Sequence, residues 1–492
     1  GAARRIPVNR LTRIGVRGAG RQRDGGCDQS KGAFHENLPN GRIDAQRRLA
    51  ALVSATIRAI TRQLRLRFKQ PAALVPATAQ PFRELTETLL SRLWSSLEIP
   101  RQVISKVRLL GHSLANRGSR MGGSPRRRAV GMGYVLIGTE ASYFTGKARS
   151  YLRWKGVDFA EQLATPQVYR DIIEPRVGFA VIPVLLTPDG ETVQDTAAII
   201  DHVERAERGD SVLPPGPVQT LVALLFQLYA DEWLVIPAMH YRWSYNEDWI
   251  AGEFGGVAAP DAPADEKKRI GRIVGERFRS FAPRLGVTED TISGIEAHYE
   301  GFLADFSAHL RQTPFLQGDR PSLGDFALFG PLYAHLYRDP ASGELMKRLA
   351  PPVADWVERM REIGPSGGDF LPHDETPETL LPMLKRQMRE QLPVLQDAAL
   401  RLAEWARAQP TGARVPRSLG EHEFTIGGRR GVRSVMTFSL WRLQQVLDHY
   451  QSLRGESRSR ADHLLEDIGG EALEAPVAAP RLARKDFRLV LD

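Results

Sequence analysis

The sequence predicts an α/β domain followed by an all-helical domain, and three observations predict it. Residues 131–206 run strand, helix, strand, irregular link, strand, hairpin strand, helix, read from short apolar runs broken by turn residues. "LPPGP" at 213–217 is a linker by composition. Beyond it only helical periods follow, as far as Ile363.

Each element has its own reason. Tyr134 to Ile137 is a short apolar run bounded by glycines, the mark of a buried strand. A loop carrying Ser142, Tyr143 and Thr145 follows. Ala148, Tyr151 and Leu152 then recur at helical spacing up to a stop at Gly156, with Lys147, Arg149 and Arg153 expected on the wetter face. Val157-Asp158-Phe159 leads into a second strand. Phe179 to Leu186 is the third apolar run and contains Ile182-Pro183. Thr187-Pro188-Asp189-Gly190 is turn chemistry, joining that run to Glu191–Gln194 as a hairpin. A helix from Thr196 to about Arg205 closes the unit. A proline heading a buried strand removes a ladder donor. It fits if the preceding bond is cis and the strand edge there faces a ligand. "GMG" at 131–133 precedes its strand, so it is no dinucleotide fingerprint.

The helical domain spans 215–364, with periods over 218–241, 265–281, 288–313, 323–338 and 346–363. Ser322 and Asp325 in "GDRPSLGDF" form a capping box. The stretch "YADEWLVIPAMHYRWSYNEDW" holds His240 at no metal-binding spacing, and its bland reading is a core helix with that histidine satisfied. Residues 365–453 read as a helical extension: an amphipathic helix over 377–408 kinked at Pro393, a hairpin at Gly427-Gly428, and a helix over 441–453. Residues 454–492, polar and then Ala/Pro-rich, read as a disordered tail.

Composition narrows the function classes. Cys27 is the single cysteine among 492 residues, which excludes intrachain disulfides, thiolate metal sites and a CxxC pair; a reducing, cytoplasmic setting fits. The net charge of +9 is unevenly spread. Residues 1–130 carry 26 Lys+Arg against 7 Asp+Glu, so 131–492 carry 67−26=41 against 58−7=51. The basic leader is expected to be disordered or partly helical, with amphipathic stretches at 43–68 and 82–97. The acidic body lacks the basic footprint of a nucleic-acid binder, and no unbroken run of ~18 apolar residues marks a membrane span. The first methionines are Met121 and Met132, and native translation is expected to begin at one of them. A presequence and a membrane-surface helix are the competing readings of the leader.

The order of elements over 131–206, with its Ile182-Pro183, resembles the thioredoxin-like domain of the glutathione transferase family, and "GDRPSLGDF" resembles the buried capping motif of that family's second domain. The resemblance implies an α/β thioredoxin-like domain, an all-α domain, and here a largely helical C-terminal extension. It implies that a hydroxyl after the first strand touches the glutathione sulfur: Ser142, with Tyr143 and Thr145 close enough to compete. It makes Ile182 the residue whose main chain pairs with the cysteinyl part, ahead of Pro183. Asp195-Thr196, where the family commonly has Glu-Ser, would receive the γ-glutamyl ammonium and carboxylate. Tyr241 and Trp243 become candidates for a second-substrate pocket, and Ser322 and Asp325 take a folding role. From the residues alone, Ser142, Thr145 and Thr196 serve equally as helix caps, and both roles stay open.

The implied protein is a cytoplasmic glutathione S-transferase, a homodimer with glutathione as co-substrate and no metal, conjugating the thiolate to a small electrophile. The alternative is a non-catalytic protein of the same fold that binds or scaffolds. No nucleic-acid or membrane partner is expected for the folded body. Physics supports a metal-free site. A thiol titrates near ~8.5, and lowering that by two units needs about 2.7 kcal/mol of preference for the anion. One hydrogen bond to a charged group supplies roughly 1.5–3 kcal/mol.

Overall fold

Four short strands build the first sheet. They are β1 (Tyr134–Gly138), β2 (Phe159–Leu163), β3 (Val184–Leu186) and β4 (Thr192–Gln194). The computed structural model describes residues 133–365, 367–474 and 478–492. The leader over 1–130, with its two expected helical stretches, lies outside the described residues.

Strand order is β2-β1-β3-β4, with β1 parallel to β2 and antiparallel to β3, and β3 antiparallel to β4. This is the mixed sheet of a thioredoxin-like domain. The parallel pair needs a crossover, supplied by α1 (Tyr143–Trp154), whose Ala148, Tyr151 and Leu152 are fully buried. A helical link then covers 166–177, its middle turn Tyr169–Ile173 a π-helix. Gly190, at φ +90°, closes the β3–β4 turn by donating its N–H to Thr187 O at 2.9 Å. Helix α2 (Thr196–Ala206) follows β4. Ile137 pairs with Val184, and Val184 with Gln194. That register gathers the end of β1, the start of β3 and the end of β4 at one edge, where α1 and α2 also begin.

The helical domain starts with α3 (Pro217–Glu232) and α4 (Val235–Tyr245), separated by a break at Trp233–Leu234. By length and composition Pro217–Tyr245 could cross a membrane, but 83% of its most apolar window is buried inside the protein, as for a core helix. Helices α5 (Glu247–Ala258), α6 (Ala264–Arg279) and α7 (Ile292–Leu310) come next. Helix α8 (Leu323–Ala334) is buried along its whole length, so it can end in water at neither side and needs an internal cap. Ser322 N donates to Asp325 Oδ2 at 2.9 Å, and Leu316 N to Asp325 Oδ1 at 3.0 Å. Burial raises the Asp325 carboxyl to about 6 against those hydrogen bonds. The period expected over 346–363 is two helices, α9 (Pro340–Leu349) and α10 (Pro351–Arg361), because Pro351-Pro352 cannot continue the first.

The extension joins the same core. α11 (Leu381–Glu390) and α12 (Leu392–Ala406) divide where Pro393 removes a donor and starts the second helix. β5 (Ser418–Ile426) and β6 (Arg429–Met436) pair around Gly427-Gly428, both at positive φ. Helix α13 (Phe438–Ser452) buries Leu440, Leu443 and Val446. At ~1.5–3 kcal/mol per side chain, those three hold it down by about 4–9 kcal/mol. Gln387 and Gln391 donate to the carbonyls of Leu225 and Leu228 on α3, at 2.9 and 3.1 Å.

The expectation of a disordered tail over 454–492 is wrong for the described part of it. Residues Gly455–Ile468 form α14, with Ala461, Leu464, Leu465 and Ile468 buried at helical spacing. β7 (Leu482–Lys485) and β8 (Arg488–Leu491) form a hairpin with Leu482, Leu489 and Leu491 inside. Its turn residues Asp486 and Phe487 have φ of +48° and +60°, a primed turn without the Asn-Gly signature. The Ala/Pro-rich composition concealed two apolar faces that dock on the rest of the chain.

Candidate functional site

Ser142 is the N-cap of α1: its Oγ accepts from Thr145 N at 3.2 Å. A hydroxyl that accepts still has an O–H to donate. Among the described residues no hydrogen bond uses it, and Ser142 is half-buried at the open end of the sheet. The other two expected hydroxyls are corrected by burial. Tyr143 is 5% exposed and donates to Ala230 O; burial, reinforced by Asp231 and Glu232, pushes its phenol well above the ordinary range. Thr145 is 0% exposed and faces Gly138, where an added Cβ would come within 2.3 Å of its side chain. Neither reaches a ligand at this edge.

The Ile182–Pro183 bond is cis. Ile182 is half-buried, and none of the hydrogen bonds among the described residues engages its N–H or C=O. By register it lies beside the chain leaving β1. An unpaired donor and acceptor at a strand end is the arrangement that accepts an extended peptide.

Asp195 caps α2, its Oδ1 accepting from Ala197 N at 3.0 Å and Ala198 N at 3.4 Å. Its φ is +85°, a setting that costs an L-residue roughly 1–3 kcal/mol. The expectation that its carboxylate waits for a ligand ammonium meets an occupant: Arg442 Nη2, from α13, donates to both carboxylate oxygens at 2.7 and 2.8 Å. Burial raises the Asp195 carboxyl, and the attraction of Arg442, Arg484 and Lys147 outweighs it, so the net position is below the ordinary range. Thr196 is 1% exposed, its buried Oγ1 has no partner among the described residues, and the first amides of α2 are already taken by Asp195.

The ionic cluster continues inward. Lys147, expected on a wet face, is 0% exposed and pairs with Asp231 at 2.7 Å. Burial lowers the Lys147 ammonium despite that partner. Arg442 Nε stands 3.8 Å from Asp231 Oδ2. Burial raises the adjacent Glu232 carboxyl to about 8, against the pull of Arg442.

Arg484 from β7 donates to Gln194 O at 3.1 Å and Gln194 Oε1 at 2.7 Å. Arg488 from β8 bonds Gly178 O and stacks on Phe179, while Phe487 packs against the same buried cluster of Ile137, Val177 and Val184 as Val181 and Ile182 do. The extension therefore lies against this edge from two sides. Sequence reasoning missed Arg442 and Arg484. The signal for Arg442 was present: in "SLWRLQQVLDHY" it shares a helical face with Ser439, Leu443, Val446 and Tyr450, where an unpaired cation is too costly.

Tyr241 and Trp243 are not gathered at this edge. Tyr241 packs edge-on to Tyr299 in the helical core, and Trp243 sits against Phe254 and Gly275. Between them Arg242 pairs with Asp339 at 2.7 Å and donates to Ala141 O, tying α4 to the loop before Ser142. His240 is held by Glu296 and Ser244. A cleft of about 220 Å³, lined by Glu140, Arg149, Arg153, Tyr333 and Arg361 among others, includes none of the site residues. Among the described residues no group of three His, Cys, Asp or Glu is placed to hold a metal.

Residues 136–211 match the glutathione S-transferase N-terminal domain and residues 289–359 the C-terminal domain. The chain therefore carries both domains of the glutathione S-transferase family. The probable glutathione S-transferase BZ2 of Zea mays is 27% identical over 106 residues, 20% of this chain and 45% of that protein. The chain thus spans less than half the length of that curated relative. Among solved structures, it is similar to the beta-etherase LigF from Sphingobium sp. strain SYK-6, at 17% identity over 47% of this chain and 96% of that one, with a TM-score of 0.36. It is similar to the Tau class glutathione S-transferase MiGSTU from mango, Mangifera indica L., at 20% identity over 50% and 94%, with a TM-score of 0.31.

Proposed function

We propose that this chain is a glutathione transferase-like enzyme that holds a peptide thiol on the Ile182 main chain and steadies its sulfur as a thiolate with the Ser142 hydroxyl, for attack on a small electrophile. The observation that carries this reading is the half-buried Ser142, whose O–H no hydrogen bond among the described residues uses, at the same end of the sheet as the Ile182 backbone, which none of those bonds engages either. The N-terminal amides of α1 add a positive end to the same spot. Glutathione is the reference ligand, and a cytoplasmic homodimer belongs to the same reading.

The expected loss is set by one charge-assisted hydrogen bond, roughly 1.5–3 kcal/mol. Conjugation of glutathione or a related cysteinyl thiol to an aryl halide should therefore fall by about 10- to 100-fold in kcat/KM for Ser142→Ala. Tyr143→Phe, which acts only in the interior, serves as the control. An unchanged rate in Ser142→Ala rejects this role. A second reading, a non-catalytic binding protein of the same fold, is favoured by the Arg442–Asp195 pair. Calorimetry that finds no heat with any cysteinyl thiol at millimolar concentration selects it.

A further inference from the structure

We infer that Arg442 stands in for the ligand's own cation, so that the site takes a cysteinyl thiol without the γ-glutamyl ammonium. The inference rests on the thiol-holding reading above and narrows its substrate class.

The reasoning starts from what Asp195 has left to offer. Both of its oxygens accept from Arg442 Nη2, and Oδ1 also accepts from two helix amides. A carboxylate has about four acceptor sites, so little capacity remains. Lys147, Arg442 and Arg484 all act on Asp195, so its attraction is already shared among three cations of the chain's own. Arg442 itself is 2% exposed, with its Nε enclosed.

The arginine is not a movable latch. It rides on α13, whose apolar face is buried against the domain core, so ligand at ordinary concentration does not lift it. Gln194, next to Asp195, is held by Arg484 from a different element, which fixes the same end of the site a second time. Among the described residues, the half-buried Ser142 O–H and Ile182 main chain have no hydrogen-bond partner. The cysteinyl part of a ligand retains its partners, and the γ-glutamyl end loses them.

The test compares glutathione with N-acetylcysteinylglycine, which keeps the cysteinyl main chain and thiol but has no ammonium. Binding is measured by calorimetry on the full chain, wild type and Arg442→Gln. Wild type should bind N-acetylcysteinylglycine at least as tightly as glutathione. In Arg442→Gln the freed Asp195 should raise glutathione affinity about 10-fold or more, with little change for the acetylated thiol. A wild type that prefers glutathione by 10-fold or more overturns the inference and leaves the thiol-holding reading standing. If neither thiol binds either protein, the thiol-holding reading fails and takes the inference with it. Should Arg442→Gln fail to fold, the wild-type preference between the two thiols still decides.

Discussion

At the scale of single residues, the site depends on which polar groups are already satisfied. Ser142 differs from its neighbours Tyr143 and Thr145 in being only half-buried, which sequence does not show. Glu232 offers a pH signature. Its carboxyl is raised by burial to about 8 from the ordinary 4.5, so the folded state binds a proton that the unfolded state releases. The resulting stabilisation is complete below pH 4.5 and is lost as pH rises through 8. Denaturant unfolding should show wild type losing stability relative to Glu232→Gln across that window. A pH-independent difference would mean that Glu232 is already ionised. Much at this scale was legible: Ile182-Pro183, Asp195 and the Ser322–Asp325 box are local patterns. The pairing of Arg442 with Asp195 was not, because 247 residues separate them in sequence and only the fold makes them neighbours.

Among the elements, helices α5 and α6 meet most closely, and glycine explains how. A Cβ on Gly255 would lie 1.8 Å from Lys267 O, and one on Gly271 would lie 1.7 Å from Ala251 O. Two backbones at that approach cannot admit a side chain. Gly255→Val should push the pair apart and cost about 3 kcal/mol, seen as a thermal midpoint lowered by several degrees. A midpoint unchanged would show that the helices are free to separate. The sequence marks this pair poorly, since α6 leaves Ile273 and Phe278 exposed and so blurs its apolar stripe. The β7–β8 hairpin was hidden for a different reason: its Asp486-Phe487 turn adopts positive φ without glycine.

For the molecule as a whole, the two family domains and the extension form one core in which α3 is covered from outside by α11 and α13. The order of the first two domains was readable because alternating strands and helices, a Pro/Gly linker and then helices alone are patterns of composition. The placement of the extension was not, because nothing local says which surface an amphipathic helix will meet. On the proposed reading, that placement closes one end of the thiol site and leaves Ser142 and Ile182 at the other. The ultraviolet absorbance of thiolate, followed against pH for a thiol bound to wild type and to Ser142→Ala, tests this most directly. A free thiol titrates near ~8.5; bound to wild type it should titrate one to two units lower, and in Ser142→Ala it should return most of the way. A bound thiol that still titrates near ~8.5 in wild type would contradict the assignment of Ser142 to the sulfur.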